Sequence, residues 1–354
     1  MKRTSVIFSP IFYRHKPGKS HPESIERLRT IIGELEKIES RNIGDWQFVN
    51  PERARLKEVG LVHGIEYVEF VEKVCRMGGG VLDLEGDTVA SGESFQVALN
   101  AVGGTLKAVK LIMRGECRNS FALVRPPGHH ASKYSAGGFC IFNNIAIAAK
   151  YLLKIVKLGR VLILDVDAHH GNGTQEIFYS TSKVLYISLH QDPRDFPGAG
   201  FMHEIGEGEG LGYTVNIPLP FKTGDQVYSK AIREIVVPII RQYRPQFILV
   251  SAGLDGHYSD PVADLSLSAL CYQEIWEKMV DLASQLCGGK LLLTLEGGYS
   301  LNFIGKIVLA TIAILGQARY DIMDRSPAVR ENVRMQGEKV ISQVRKVQGD
   351  FWDV

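Results

Sequence analysis

The chain has 354 residues, 45% of them hydrophobic, enough for a sizeable core in one large α/β domain or two ordinary ones. Lys+Arg 41 against Asp+Glu 39 leaves a net charge of +2 with no block of like charge, which argues against nucleic acid as a direct partner. No apolar segment reaches the roughly 20 residues that span a bilayer, and five cysteines without C-x-x-C spacing predict a reduced, cytoplasmic protein.

Short apolar runs rich in β-branched residues alternate with longer helical patterns. Residues 5–8 read as a first strand. Ser20, Pro22 and Glu23 then predict the capped start of a helix running to about Glu39, followed by a strand at 45–49. A helix over 94–114 leads to a strand at 120–124, and a helix over 143–158 to a strand at 161–166. Further strands follow at 184–189 and 213–217. The helical pattern at 226–243 carries Pro238, which should kink or shorten it. A strand at 247–251, a helix at 268–286, a strand at 291–295 and a helix at 300–315 complete the alternation. Ser326-Pro327 predicts the start of a last helix, about 327–348, with Val329, Val333, Val340, Val344 and Val347 on one side, packed on the body of the domain. Together these patterns imply a single α/β domain over residues 1–354, with a mostly parallel eight-stranded sheet between helical layers.

In open parallel sheets ligands bind outside the carboxyl ends of the strands. The run Asp165-Val166-Asp167-Ala168-His169-His170 lies at such an end. Extended residues at i, i+2 and i+4 share a face, so Asp165, Asp167 and His169 should point the same way. Carboxylates held side by side in a partly buried place repel unless a cation neutralises them, which predicts a metal site. His129-His130 follows the strand at 120–124, Asp255 the strand at 247–251, and Glu296-Gly297-Gly298-Tyr299 the strand at 291–295. Each has a bland reading by itself: a surface loop, a helix cap, a turn with a packed ring. Their joint occurrence at four strand ends favours a site.

In these stretches the chain resembles the histone deacetylase superfamily, zinc-dependent amidohydrolases with the arginase–deacetylase fold. The resemblance rests on His21-Pro22-Glu23 with Arg27-Leu28, Val62-His63 with Tyr67-Val68, RPPGHHA at 125–131, Gly138-Phe139-Cys140 and Asn143-Asn144. It continues through LDVDAHHGNGTQ at 164–175, Ser188-Leu189-His190, FPGAG at 196–200, Asp255 with Asp260-Pro261, and LEGGYS at 295–300. These fall in family order over nearly the whole chain. Asn172 and Glu296 resemble the class II branch and its bacterial or archaeal relatives.

The resemblance implies Asp167, His169 and Asp255 as ligands of a catalytic zinc that keeps an open position. Two Asp and one His make an oxygen-rich set that also suits Fe2+ or Co2+. It further implies His130 as general base, His129 as its electrostatic partner with Asp165 on the far nitrogen, and Tyr299 as hydroxyl donor to an oxyanion. Asn172 beside His130 should leave that imidazole with a lower pKa. Phe139 and Phe196, with Gly138 and Val262, would line a narrow acyl-lysine channel, and Asp87 would stand at its rim. A structural potassium would take Asp165, Ser188 and the carbonyls of Asp167, His169 and Leu189. His15, His21, His170, His190 and His257 are expected to pack or support, His203 to lie in an exposed loop, and Cys140 to be a buried small hydrophobe.

The implied reaction is hydrolysis of the acetyl or other acyl amide on lysine side chains of proteins or peptides by metal-activated water. Deacetylation of a small acetylated amine such as an acetylpolyamine would use identical chemistry. Polyamine-selective members can carry an acid where this chain has Val262, which tilts the reading towards acyl-lysine. An arginase-like ureohydrolase would need a second metal and more acids after position 251. A catalytically silent acyl-lysine binding module has no need of a proton shuttle.

Overall fold

A computed structural model of the chain describes residues 3–37, 43–318 and 320–354. Its strands are β1 (Thr4–Ile7), β2 (Trp46–Val49), β3 (Gly79–Val81), β4 (Val89–Ser91), β5 (Asn119–Ala122), β6 (Val161–Asp165), β7 (Val184–Gln191), β8 (Thr214–Leu219), β9 (Phe247–Ala252) and β10 (Leu291–Leu295). Eight of them form one sheet in the order β2-β1-β5-β10-β9-β6-β7-β8, and β3 and β4 form a separate antiparallel hairpin. Every pairing in the large sheet is parallel. All eight predicted strands are therefore present, each within two residues of its expected ends.

The central strands β5, β10, β9, β6 and β7 are buried along their whole length. Their continuous apolar sequences, such as Val161-Leu162-Ile163-Leu164, require helices on both faces. The long helices Ser94–Met113, Asn144–Lys154, Ala269–Cys287 and Ile304–Leu315 supply that cover. Among the described residues no helix is long and apolar enough to cross a membrane.

Three helical expectations need correction. The first helix spans Ile25–Glu36, after Ser24, which makes no side-chain capping bond. Glu23 does not cap it, because its carboxylate is buried against Arg27 and Arg125. The expected end at Glu39 lies outside the described residues. The pattern at 226–243 breaks into Asp225–Ala231, a π turn over Ile232–Val236, and Val237–Tyr243 with Pro238 in its first turn. Proline has no N–H to donate into the preceding turn, and here that turn is the π turn rather than a regular α-helical one.

The last helix spans Glu331–Gln348, so Ser326-Pro327 does not start it and Val329 lies ahead of it. The preceding segment is held open by tertiary hydrogen bonds: Asp324 accepts from the Ala269 N–H at 2.7 Å and from the Tyr258 hydroxyl at 3.0 Å. The buried seam of the helix is Gly337, Ile341, Val344 and Gln348, so of the expected valines in the helix Val344 is buried and Val333, Val340 and Val347 are half-buried. It lies against β8, where Gln348 donates to the Thr214 carbonyl at 3.2 Å.

Candidate active site

The four strands whose ends carry the suspected residues, β5, β10, β9 and β6, are neighbours at the centre of the sheet. That adjacency brings distant stretches of chain together. Asp165 ends β6, opposite Ser188 of β7 and Ser251 of β9. Just beyond it, donor atoms of Asp167, His169 and Asp255 lie within 4.8 Å of one another. His169 Nδ1 is 2.8 Å from Asp255 Oδ2 and 3.4 Å from Asp167 Oδ1. Backbone N–H groups aim the carboxylates: Gly297 donates to Asp167 Oδ2 at 2.8 Å and Ala168 to Asp255 Oδ1 at 2.9 Å. A Cβ on Gly253 or Gly297 would stand 2.2 or 2.6 Å from Asp167 Oδ2, so glycine is required at both positions.

Two carboxylates so close and so buried cannot both stay charged without a cation. Burial and the Asp167 charge push the Asp255 carboxyl up to about 7. Burial opposes the charge on His169, yet Asp167 and Asp255 push that imidazole up to about 10. A divalent cation fits this donor set of two carboxylates and one imidazole, and it would remove the need for those protons.

His129 and His130 lie beside this group, their ring centroids 4.0 Å apart and their planes tilted by 47°. His129 Nδ1 lies 3.1 Å from Asp165 Oδ2, and Asp165 is wholly buried. Burial opposes the His129 charge, but Asp165 and Asp167 push it up to about 10. His130 differs: its Nδ1 meets the amide oxygen of Asn172 at 2.8 Å, and burial and the charge on His129 hold it well below the usual histidine value. An amide oxygen only accepts, so Nδ1 of His130 carries the proton and Nε2 is the free base.

Tyr299 projects from the loop after β10. Burial raises its pKa well above 10, so the hydroxyl is a donor at neutral pH. The Arg27 guanidinium lies 4.8 Å from the centre of its ring.

Phe139, Phe196, Gly138, Val262 and Asp87 line a cavity of about 280 Å3 that has His129, His130, Asp167, His169 and Tyr299 within it. Phe196 meets His130 edge-on at 4.9 Å and Phe139 meets Tyr299 edge-on at 5.9 Å. Gly138 has φ +50, and a Cβ there would lie 2.3 Å from the His130 ring. Phe139 follows with φ 68 and is fixed by its N–H, which donates to Thr88 Oγ1 at 3.0 Å. A phenylalanine held in the left-handed region is a strained feature of the kind that clusters at functional sites.

Of the residues expected at a potassium site, Asp165 pairs in register with Ser188, whose Oγ lies 2.8 Å from His190 Nδ1. Leu189 offers its carbonyl to the Tyr228 hydroxyl at 3.5 Å. The supporting histidines all find packing or polar partners. His15 meets Ser94 and Glu23, His21 the Asp87 carbonyl, and His257 meets Ser259 and Asp324. His170 packs on His190, and His203 stacks on Phe201. Cys140 is buried.

Three contributors are legible in the sequence only through the family resemblance or, for Glu23, as a helix cap, with no supporting role assigned to them. Glu23, Arg27 and Arg125 form a buried ion cluster behind the site, in which Arg27 also donates to the carbonyls of Glu296 and Gly298 at 2.5 and 2.6 Å. Asp260 accepts from the N–H groups of Tyr299, Ser300 and Val262 at 2.6, 3.1 and 2.9 Å, and so holds the tyrosine loop. Glu296 accepts from the N–H groups of Gly128 and His129 at 2.7 and 3.2 Å. Only buried, unpairable charges in the sequence could have signalled these, and sequence does not report burial of single polar residues.

The chain matches the model of the histone deacetylase domain over residues 21–315. It is 40% identical to a probable deacetylase of Archaeoglobus fulgidus, over 99% of this chain and 98% of that one. It is 37% identical to the chloroplastic histone deacetylase 14 of Arabidopsis thaliana, over 84% of this chain and 74% of that one. The crystal structure of the HDA15 HD domain superposes with a TM-score of 0.88 at 34% identity, over 99% of this chain and 95% of that one. With the sheet, the strand-end residues and these matches in agreement, the chain belongs to the histone deacetylase family and is a deacetylase.

Proposed function

We propose that the protein is a metal-dependent hydrolase of acyl-lysine side chains, with residues 1–354 acting as one catalytic domain. The observation that carries this reading is the convergence of Asp167, His169 and Asp255 with His130 and Tyr299 around one narrow cavity walled by two phenylalanines. A divalent cation, zinc or alternatively Fe2+ or Co2+, supplies Lewis-acid polarisation of the amide carbonyl and acidifies water when held by the two aspartates and His169. His130 Nε2 takes the proton of the attacking water and returns it to the leaving amine. His129, kept cationic by Asp165, stabilises negative charge beside it. Tyr299 donates its hydroxyl to the oxyanion that develops on the amide. Phe139 and Phe196 admit a thin aliphatic tether and exclude water.

Asp165, Ser188 and the carbonyls of Asp167, His169 and Leu189 are proposed to hold a structural K+. Five buried cysteines accord with the reducing cytoplasm proposed as its setting.

Val262, Phe139 and Phe196 favour an uncharged tether over a polyamine, whose additional cation would meet no carboxylate at Val262. Asp87 at the rim is the one acid among the lining residues outside the metal group. Two measurements test the reading. Metal analysis of purified Asp167→Ala and Asp255→Ala proteins should show near-complete loss, and full occupancy in a folded Asp255→Ala protein would remove the ligand assignment. Comparison of kcat/KM for an acetyl-lysine peptide, N-acetylspermidine and N-acetylputrescine should favour the peptide. A tenfold preference for the polyamines would overturn the lysine assignment and leave the deacetylase chemistry in place.

A further inference from the structure

A second cavity, of about 620 Å3, opens beside the catalytic channel and shares His130 and Phe196 with it. Its outer wall comes from the helix Ile65–Arg76 and the hairpin β3–β4, whose loop also carries Asp87 and Thr88 of the catalytic channel. That wall is apolar and unusually open to solvent: Leu84 is 101% exposed, Val81 49% and Phe70 44%. Exposed large side chains grouped along one groove mark an interaction surface.

Acidic groups predominate among the charges on the same groove. Glu85 and Asp195 are exposed on it, while the cation beside them, Arg194, is already paired with Asp192. Asp83 is occupied in its own loop, accepting from the N–H groups of Gly86 and Thr88.

We infer that this groove binds the polypeptide flanking the acyl-lysine, and that it selects a bulky apolar residue and a Lys or Arg next to the modified position. The inference rests on the acyl-lysine reading above. The occupant follows from continuity: a chain whose lysine enters the channel past Phe196 must run over the surface that begins at Phe196, which borders both cavities. Leu84 and Val81 would cover the apolar side chain, and Glu85 with Asp195 would face the cation. A free acetylated amine, having no flanking chain, gains nothing from this surface.

The test compares kcat/KM for three substrates: acetyl-lysine with both ends capped, a peptide with Leu and Arg beside the acetyl-lysine, and a peptide with Gly and Glu there. Wild-type enzyme should favour the Leu/Arg peptide over the capped monomer by tenfold or more. The variants Leu84→Ser and Glu85→Lys, both at exposed positions away from the catalytic residues, should each reduce that advantage to threefold or less and leave the capped monomer unchanged. Equal rates on monomer and both peptides, or variants that slow all three substrates alike, would overturn the groove. Failure to cleave any acetyl-lysine substrate alongside turnover of N-acetylputrescine would overturn the lysine reading itself, and the groove with it.

Discussion

Two buried charge clusters lie back to back in this protein, and they solve the cost of burial differently. Behind the site, Glu23 is 0% exposed but faces Arg125 at 2.5 Å and Arg27 at 3.0 Å. The remaining guanidinium donors reach carbonyls of Phe12, His15, Glu23, Glu296 and Gly298. This cluster closes on itself and has no room for chemistry. In front, Asp165, Asp167 and Asp255 face imidazoles, backbone N–H groups and the Tyr186 hydroxyl, with no guanidinium or ammonium partner among the described residues. Histidines can lose their protons, so that neutralisation is conditional, and a metal ion would complete it. The difference between permanent and conditional counter-charge separates scaffold from active centre. Arg27 joins the two, with its side chain in the first cluster and its guanidinium over the ring of Tyr299.

Metal removal should have the largest effect. Dialysis against a strong chelator is expected to reduce turnover at least about 10³-fold, with recovery on adding Zn2+, Co2+ or Fe2+, since both water activation and carbonyl polarisation depend on the ion. Activity that survives complete demetallation, verified by elemental analysis, would erase the contrast between the clusters.

Cutting the closed cluster should instead unfold the protein. Arg125→Ala leaves Glu23 buried without its main partner, and loss of about 3–5 kcal/mol is expected for breaking a buried pair in this way. Denaturant titration measures it. The pH dependence has a definite sign. Burial raises the Glu23 pKa, but Arg125 and His15 more than offset this and hold the folded carboxyl well below its ordinary value of 4.5. A depressed folded pKa means that the stabilisation is complete above the unfolded value and is lost as pH falls below it. Glu23→Gln should therefore be less stable than wild type at pH 7, and the deficit should shrink below about pH 4.5. A pH-independent deficit would show that the carboxylate charge is not what matters.

Tyr299→Phe removes one oxyanion donor while the ring stays on Arg27. A loss of roughly 10²–10³-fold in kcat with little change in KM is expected, about 2.7–4 kcal/mol of transition-state stabilisation. A variant with near-normal turnover would rule that role out.

Smaller effects should follow from changing the conditional charges. Asn172→Asp would place a carboxylate 2.8 Å from His130 Nδ1, where the amide oxygen now stands, and favour the imidazolium. The acidic limb of the kcat/KM profile should then move up by roughly 1 pH unit or more. Val262→Glu should shift the substrate ratio from acetyl-lysine peptide towards acetylpolyamine by about tenfold, equivalent to about 1.4 kcal/mol. An unchanged ratio would mean that the channel wall does not read charge.

The strands, and with them the strand ends, were legible from sequence because apolar runs such as Phe247–Ala252 admit no other placement in a covered parallel sheet. Period-2 geometry put Asp165, Asp167 and His169 on one extended face, but the strand ends at Asp165 and residues 167–169 bend, so Asp167 and His169 meet Asp255 while Asp165 turns to His129. The amphipathic helix Ile65–Arg76 was legible too, through Tyr67, Val68, Val71 and Cys75 at helical spacing, yet it was not assigned. The hairpin β3–β4 was not legible, since three-residue strands containing Gly79 and Gly80 carry no periodic signal. The start of the last helix failed for another reason: Ser326-Pro327 is a sound local signal, overruled when Asp324 bonds to Ala269 and Tyr258. Local sequence by itself determined the elements and the chemical character of the strand ends, because backbone periodicity and residue type act over a few positions. Only tertiary structure decided which strands are neighbours, which of two buried acid clusters is closed by arginine, and which exposed side chains border the channel. Those depend on contacts between residues far apart in the chain, such as Glu23 with Arg125 and Tyr299 with Asp260.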